Sequence, residues 1–335
     1  MSAVRRKAIG VLLLAGLVLF CLPAASGAVP AWQSAPVIPS LSNGDQARLK
    51  DRVAAGERTG LRSGVFAKVG DSNTEFSPDL YGLACRKPTG LSAALRGTLA
   101  TYSRVRLPNA RALPGCRPWT SFSRRSSAAQ AGVHSTWPLT PVKDLPDESY
   151  WAKPPGCPLK GTPLSCEIDA TMPRYAMVML GTNDIGMDIA FGIQPGSRIV
   201  SRLGGVVRAL LARKVVPVLS TIPPIIRPDG TRQGEVTAGV ARSNAGIFEL
   251  ARKWHLPMIN LWRALKEPSM IDLGLAEDGL HLSVAGAGGE MVGVQPGAST
   301  FADSVDFTPA GLRYGANRRN LIWLKTLARL DRVTG

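Results

Sequence analysis

The octapeptide Val65-Phe66-Ala67-Lys68-Val69-Gly70-Asp71-Ser72 is the most informative indicator of how this chain folds. Five mainly apolar residues predict a compact strand, and Gly-Asp-Ser follows that strand directly. Two further apolar runs end in a similar way, since residues 175–180 stop at Gly181 and residues 215–221 stop before Pro223. Near-continuous apolar runs of this length are typical of strands that are buried on both faces of a parallel sheet.

Helical periodicity separates the predicted strands. Apolar residues recur at helical spacing from Ile199 to Leu211 and more loosely from Val240 to Ala251, and a last helix is expected from Pro309 to Leu330. A fourth strand is expected from Met258 to Leu261. Alternating strands and helices predict a parallel sheet covered by helices on both faces. Ligands bind such sheets beyond the carboxyl ends of the strands, so residues at that edge are candidates for function.

The first 28 residues have the composition of a secretory signal peptide. Arg5, Arg6 and Lys7 precede an apolar stretch, and Ser26-Gly27-Ala28 suits cleavage. An uncleaved anchor is disfavoured because about 12 to 14 apolar residues are too few to span a bilayer comfortably. We therefore expect a secreted or extracytoplasmic protein, in the periplasm or cell envelope, with no transmembrane span after cleavage.

The remaining chain divides by composition into a lead and one large domain. Residues 29–63 are expected to form an N-terminal lead with a short helix, and residues 64–335 the main domain. Two Pro-, Gly- or Ala-rich regions, at about 104–173 and 284–306, have few periodic segments. We interpret both regions as insertions that shape the mouth of the site.

Four cysteines lie beyond the signal: Cys85, Cys116, Cys157 and Cys166. An even number in a chain expected to reach an oxidising compartment predicts two disulfides. Four cysteines allow three pairings, and proximity in sequence favours Cys85 with Cys116 and Cys157 with Cys166. A metal site is disfavoured, because no C-x-x-C pair or nearby histidine cluster accompanies the cysteines.

The chain is strongly basic. Its net charge of +16 becomes +13 once the three basic residues of the signal are subtracted. A basic surface is suited to an anionic cell-envelope surface, although a solvated basic surface with no specific partner is the more ordinary interpretation. No recognised nucleic-acid motif accompanies the charge, so no specific nucleic-acid partner is expected.

Two further motifs complement Gly-Asp-Ser: G-T-N-D at residues 181–184 and D-G-L-H at residues 278–281. A serine hydroxyl becomes a good nucleophile when a base takes its proton and a third group orients that base. Ser72 and His281 supply the first two parts. Asp278 lies three residues before His281, so a single turn can place both side chains on the same side.

A serine nucleophile of this kind also needs donors for the oxyanion of a tetrahedral intermediate. The Asn183 side chain and the backbone N–H of Ser72 are two candidates. The backbone N–H of Gly132 is a third, in a segment of small and polar residues.

The three motifs together resemble those of the SGNH, or GDSL, hydrolase superfamily over roughly residues 60–330. The resemblance implies a three-layer α/β/α flavodoxin-like fold and a serine esterase that needs no cofactor. It also implies a nucleophile and triad at Ser72, Asp278 and His281, with Ser72, Gly132 and Asn183 forming the oxyanion hole. The asparagine that usually lies upstream of the glycine in this superfamily is absent here.

These observations predict a carboxylic-ester hydrolase that acts through an acyl-enzyme, on short acyl esters such as O-acetyl carbohydrate. Other small-molecule, polysaccharide or lipid esters remain open as substrates, as in a lipase or lysophospholipase. An O-acyltransferase and a non-catalytic protein that binds envelope polysaccharide are further alternatives. Trp119, Trp137 and Trp151 are expected to pack the first insertion rather than to line a sugar groove.

Overall fold

The computed structural model describes residues 29–76, 79–108, 118–147, 152–285 and 304–335. Its α-helices and strands are, in chain order, α1 (Ala31–Ser34), α2 (Asn43–Arg58), β1 (Arg62–Gly70), α3 (Ser72–Glu75), α4 (Tyr81–Cys85), α5 (Ala93–Ser103), α6 (Pro163–Thr171), β2 (Pro173–Met179), α7 (Thr182–Ala190), α8 (Ile199–Ala212), β3 (Val216–Ser220), α9 (Gln233–Trp254), β4 (Met258–Ile259), α10 (Leu261–Leu265) and α11 (Gly315–Thr334). Short 3₁₀ helices lie at Trp137–Leu139, Val142–Asp144, Asp272–Gly274 and Gly311–Arg313. The predicted signal peptide lies outside the described residues.

The four strands form one parallel sheet in the order β1-β2-β3-β4. Gly70 at the end of β1 pairs with Met179 at the end of β2, so the two strands finish at the same level. Gly70 also makes a parallel bridge to Ala129, in the loop region between α5 and α6. The carboxyl edge of the sheet therefore brings together the segments that carry the first two motifs.

Side chains of the strands alternate between two hydrophobic cores. Phe66 and Met177 point to one face, where α2, α5, α10 and α11 cover them. Val69 and Val178 point to the other face, where α6, α8 and α9 cover them. A buried sheet between two helical layers is the arrangement that the apolar runs predicted, and the three-layer α/β/α fold is confirmed.

Some predicted boundaries differ from those in the structure. β1 begins at Arg62, so the predicted lead of residues 29–63 ends inside the first strand. The predicted first insertion contains a regular helix, α6. Thr162 and Ser165 form a reciprocal capping box at its start, and Pro163 occupies its first turn. The last helix starts at Gly315 rather than Pro309, because the chain first forms a short 3₁₀ helix.

One predicted disulfide is present. Cys157 and Cys166 are bonded with their Cα atoms 5.7 Å apart, which confirms that pairing. Cys116 lies outside the described residues, so its pairing with Cys85 stays a prediction.

The insertion packs as expected where it is described. Trp119 and Trp137 are buried, which is consistent with the predicted packing role, and Trp151 lies outside the described residues.

Among the helices that the structure describes, none is both long enough and apolar enough to cross a membrane.

Candidate active site

Gly-Asp-Ser forms the turn from β1 into α3. The Asp71 carboxylate caps this short helix by accepting a hydrogen bond from the Asn73 N–H, at 3.1 Å. Burial raises the pKa of Asp71 to about 6, even though that hydrogen bond favours the ionised form. Ser72 is the first residue of α3, and its side chain is nearly buried at the carboxyl edge of the sheet.

Asp278 and His281 lie together on one tight loop. Asp278 Oδ1 accepts hydrogen bonds from the backbone N–H groups of Leu280 and His281, both at 3.0 Å. Gly279 has a φ of +64°, and a Cβ there would lie 1.8 Å from the Ile226 carbonyl oxygen. Only glycine suits this close approach, so the loop between Asp278 and His281 depends on it.

Ser72, His281 and Asp278 form a continuous hydrogen-bonded series. Ser72 Oγ lies 2.7 Å from His281 Nε2, and His281 Nδ1 lies 2.6 Å from Asp278 Oδ2. Because a carboxylate only accepts hydrogen bonds, Nδ1 carries a proton and Nε2 accepts from the serine hydroxyl. Burial raises the pKa of Asp278, but hydrogen bonds from His281 and Leu280 outweigh it and lower this pKa to about 2. An ionised Asp278 can thus stabilise a positive charge on the imidazole.

Two neighbouring residues that sequence reasoning missed support this series. Asn73 donates to the Leu280 carbonyl at 3.2 Å and accepts from the Leu282 N–H at 3.1 Å, so it holds the loop on both sides of His281. The Phe76 ring lies against the His281 ring, with the two ring centroids 4.9 Å apart. Their positions just after the serine motif were the only signal for such roles.

Asn183 and the segment of Gly132 also lie together. Asn183, in the first turn of α7, donates through Nδ2 to the carbonyl of Val133 at 2.9 Å. Gly132 has a φ of +74°, a conformation that favours glycine. An amide carries two N–H donors, so Asn183 can hold Val133 with one and serve a ligand with the other.

Asp184 connects α7 to the same segment. Its carboxylate accepts from the Ser135 N–H at 2.9 Å and the Ser135 hydroxyl at 2.7 Å, and it pairs with Arg202 at 2.6 Å. His134 is half-buried, its Nδ1 lies 2.7 Å from the Thr136 hydroxyl, and burial lowers its pKa. Within the described part of the chain, no group of three or more His, Cys, Asp and Glu side chains is arranged to hold a metal ion.

Solved structures that are similar to this chain are distant from it in sequence. A lipase/acylhydrolase from Enterococcus faecalis is 16% identical with a TM-score of 0.45, and the match covers 79% of this chain and 95% of that chain. A GDSL-like lipase from Bacteroides thetaiotaomicron is 13% identical with a TM-score of 0.40, covering 73% and 92%. An acetyl xylan esterase from Geobacillus stearothermophilus is 16% identical with a TM-score of 0.38, covering 72% and 95%. No curated protein matches the sequence.

The family comparison is specific. The GDSL-like Lipase/Acylhydrolase family matches residues 69–288, which are 220 of the 335 residues. This span contains Ser72, Asn183 and His281, and it confirms the resemblance that the three motifs indicated. The chain belongs to the GDSL-like lipase/acylhydrolase family and is a serine ester hydrolase.

Proposed function

We propose that this chain is a secreted enzyme that hydrolyses short acyl esters, such as O-acetyl groups on carbohydrate, through an acyl-enzyme. The observation that carries the proposal is the hydrogen-bonded series from Ser72 Oγ through His281 to Asp278. This arrangement provides a nucleophile, a base and an orienting acid in contact with one another, which acyl transfer to serine requires.

The reaction begins when Ser72 Oγ attacks the carbonyl carbon of the ester and its proton passes to Nε2 of His281. Asp278 holds the Nδ1 proton and stabilises the imidazolium. The oxyanion accepts hydrogen bonds from the N–H groups of Ser72, Gly132 and Asn183. His281 then protonates the leaving alcohol oxygen as its bond to carbon breaks. Water then attacks the carbonyl carbon of the acyl-enzyme while His281 takes its proton. The bond to Ser72 Oγ breaks, His281 returns the proton to that oxygen, and the carboxylic acid leaves.

The preference for a short acyl group rests on the crowding around the nucleophile. Ser72 is 6% exposed and His281 is 9% exposed. The Phe76 ring covers part of the imidazole. A compact group such as acetyl needs the least displacement of these side chains, because well-packed surroundings resist added volume.

Secretion is supported by the signal-like first 28 residues and by the Cys157–Cys166 disulfide. Disulfides form and persist in oxidising compartments outside the cytosol. The charge of +13 that remains after cleavage, the full +16 less three signal residues, suits an enzyme that works near an anionic envelope surface.

The first experiment compares the mature protein with Ser72→Ala on p-nitrophenyl acetate, butyrate and octanoate. We expect the wild type to hydrolyse acetate with the highest kcat/KM and Ser72→Ala to lose activity by a factor on the order of 10³ or more. Ser201→Ala, an exposed serine on α8, is the matched control and is expected to retain full activity. A Ser72→Ala variant as active as the wild type would refute the proposal.

A longer acyl group is favoured by one observation. A cavity of about 620 Å³ borders the loop of Asp278, and its lining combines apolar residues such as Ile226, Leu273 and Leu275 with Asp272, Glu277 and Ser283. Faster hydrolysis of octanoate than of acetate would therefore identify a lipase or lysophospholipase. Acylated sugar among the products, when a sugar acceptor is added, would identify an acyltransferase.

A further inference from the structure

The backbone around Gly132 is held by buried acids. Residues 126–135, here called the Gly132 segment, consist of turns and irregular backbone with one bridge at Ala129. Backbone N–H groups that are buried without a ladder of strand or helix bonds need other acceptors. Three N–H groups spaced four residues apart donate to carboxylates, namely Ser127 to Glu167 at 2.7 Å, Ala131 to Glu75 at 2.5 Å and Ser135 to Asp184 at 2.9 Å.

Each of these carboxylates is also paired with an arginine. The pairs are Glu167 with Arg124, Glu75 with Arg125 and Asp184 with Arg202. The three acidic side chains are only 3%, 2% and 1% exposed. A buried carboxylate is costly unless it is paired, and an ionised acceptor binds an N–H group about twice as strongly as a neutral one. The arginines therefore allow the acids to hold the segment as anions.

Glu75 differs from the other two acids in its position. It lies on α3, three residues after Ser72. Its Oε2 accepts from Ala131, the residue before Gly132, while its Oε1 accepts from Arg125 Nε at 2.8 Å. One side chain thus joins the helix of the nucleophile to the peptide next to Gly132. The acids on α6 and α7 instead bind near the two ends of the Gly132 segment.

We propose that Glu75 is a positioning residue that sets the Gly132 N–H relative to Ser72 Oγ. The inference rests on the proposed function, because it takes Gly132 as a donor to the oxyanion. An oxyanion donor acts at about 2.7–3.1 Å from the oxygen. A small shift of the Gly132 segment therefore weakens the hydrogen bond that stabilises the transition state more than it weakens substrate binding. Loss of Glu75 therefore lowers kcat and leaves KM almost unchanged.

The test compares Glu75→Ala and Glu75→Gln with Asp188→Ala and Asp188→Asn in the mature protein. Asp188 is a matched control because it is buried, pairs with Arg198 and accepts from the backbone N–H of Gly196 at 2.9 Å, outside the Gly132 segment. Measurements are kcat and KM for p-nitrophenyl acetate, the thermal midpoint and the Kd of phenylboronic acid. The boron accepts an electron pair from Ser72 Oγ as the hydroxyl proton passes to the histidine, and the adduct mimics the tetrahedral oxyanion.

Glu75→Ala is expected to lower kcat by a factor on the order of 10² and to keep KM within about twofold of the wild type. The Kd of phenylboronic acid is expected to rise by a similar factor to the loss in kcat. Glu75→Gln keeps an oxygen for the Ala131 N–H but turns an amide toward Arg125, so we expect a loss of about tenfold. The Asp188 variants are expected to lower the thermal midpoint and to leave kcat and boronate affinity within about threefold of the wild type.

Unchanged kcat and boronate affinity in Glu75→Ala would overturn the inference, as would equal losses in Asp188→Ala. If Glu75→Ala does not fold, Glu75→Gln decides, and a kcat within about twofold of the wild type counts against the inference. Failure of the proposed function looks different, because activity would then persist in Ser72→Ala. Activity that depends on Ser72 but is indifferent to Glu75 refutes the positioning role alone.

Discussion

Asn73 connects the helix of Ser72 to the loop of His281 through hydrogen bonds and takes no part in proton transfer. Its amide binds one backbone group on either side of His281, through one donor and one acceptor. General-base catalysis needs the base within hydrogen-bond reach of the proton that it takes, about 2.6–3.2 Å. Asn73 thus restricts the separation between Ser72 Oγ and the imidazole.

Replacement of Asn183 tests the other side of the site. Under the proposed mechanism, Asn183→Ala removes a hydrogen bond that strengthens only as the oxyanion develops, so we expect kcat to fall by a factor on the order of 10²–10³ with little change in KM. Steady-state kinetics on p-nitrophenyl acetate measures this change, and the thermal midpoint checks that the variant is folded. A kcat within about threefold of the wild type would mean that Asn183 only holds Val133.

Asp71 makes stability depend on pH. Its folded pKa of about 6 lies above the ordinary value of 3.8 for an aspartate, so the stability that its protonated form provides is complete below about pH 4 and is lost as the pH rises to 6. Asp71→Asn keeps an acceptor for the Asn73 N–H without this titration. As the pH rises from 4 to 7, the free energy of unfolding of the variant, measured with urea, should increase by about 2–4 kcal/mol relative to that of the wild type. A difference that does not change with pH would contradict this.

At the scale of elements, the last helix supports the first motif. Arg319 on α11 is buried, donates to the Asn73 carbonyl oxygen and pairs with Asp79 at 2.9 Å. Burial raises the pKa of Asp79, and the Arg319 guanidinium opposes that effect. The C-terminal helix therefore contacts α3 through the hydrogen bond to Asn73, and it contacts the chain before α4 through a buried ion pair with Asp79.

Arg319→Met tests this support. The substitution leaves Asp79 buried without its guanidinium partner, so we expect the free energy of unfolding to fall by about 3–5 kcal/mol. Arg319→Met combined with Asp79→Asn is expected to recover a large part of that loss, because no uncompensated carboxylate remains. Urea unfolding of the two single variants, the double variant and the wild type completes the cycle. Additive losses in the double variant would show that the two side chains are not coupled.

At the scale of the whole molecule, a covalent link supplements the two hydrophobic cores. The Cys157–Cys166 disulfide spans a sequence separation of 9 and joins the loop before α6 to the first turn of that helix. α6 packs on β1 and carries Glu167, which holds the Gly132 segment at Ser127. The disulfide thus restricts the helix that anchors one end of the segment.

Replacing both cysteines, Cys157→Ala with Cys166→Ala, is expected to lower the free energy of unfolding by about 2–3 kcal/mol. A disulfide that closes a loop of about ten residues lowers the entropy of the unfolded chain, and this effect is worth that amount. Urea unfolding with and without a reducing agent measures the effect. Reductant sensitivity that remains in the double variant would reveal the second predicted disulfide, Cys85 with Cys116. A double variant as stable as the wild type would show that the bridge does not stabilise the fold.

The fold class followed from the amino-acid sequence alone, and so did the proposed roles of Ser72, Asp278 and His281. Buried strands are visible as apolar runs, and parallel strands place the residues that follow them at one edge of the sheet. Asp278 and His281 are three residues apart, so their contact is local. Ser72 was predictable because its motif lies at the end of such a strand.

Which side chains support those residues depends on how the helices pack around the sheet. Glu75, Glu167 and Asp184 lie on three different helices, and their common contact with the Gly132 segment exists only once α3, α6 and α7 are packed. Arg319 reaches Asn73 across 246 positions of sequence in the same way. Periodicity reports which face of an element is buried, whereas the partner of a buried charge depends on three-dimensional packing.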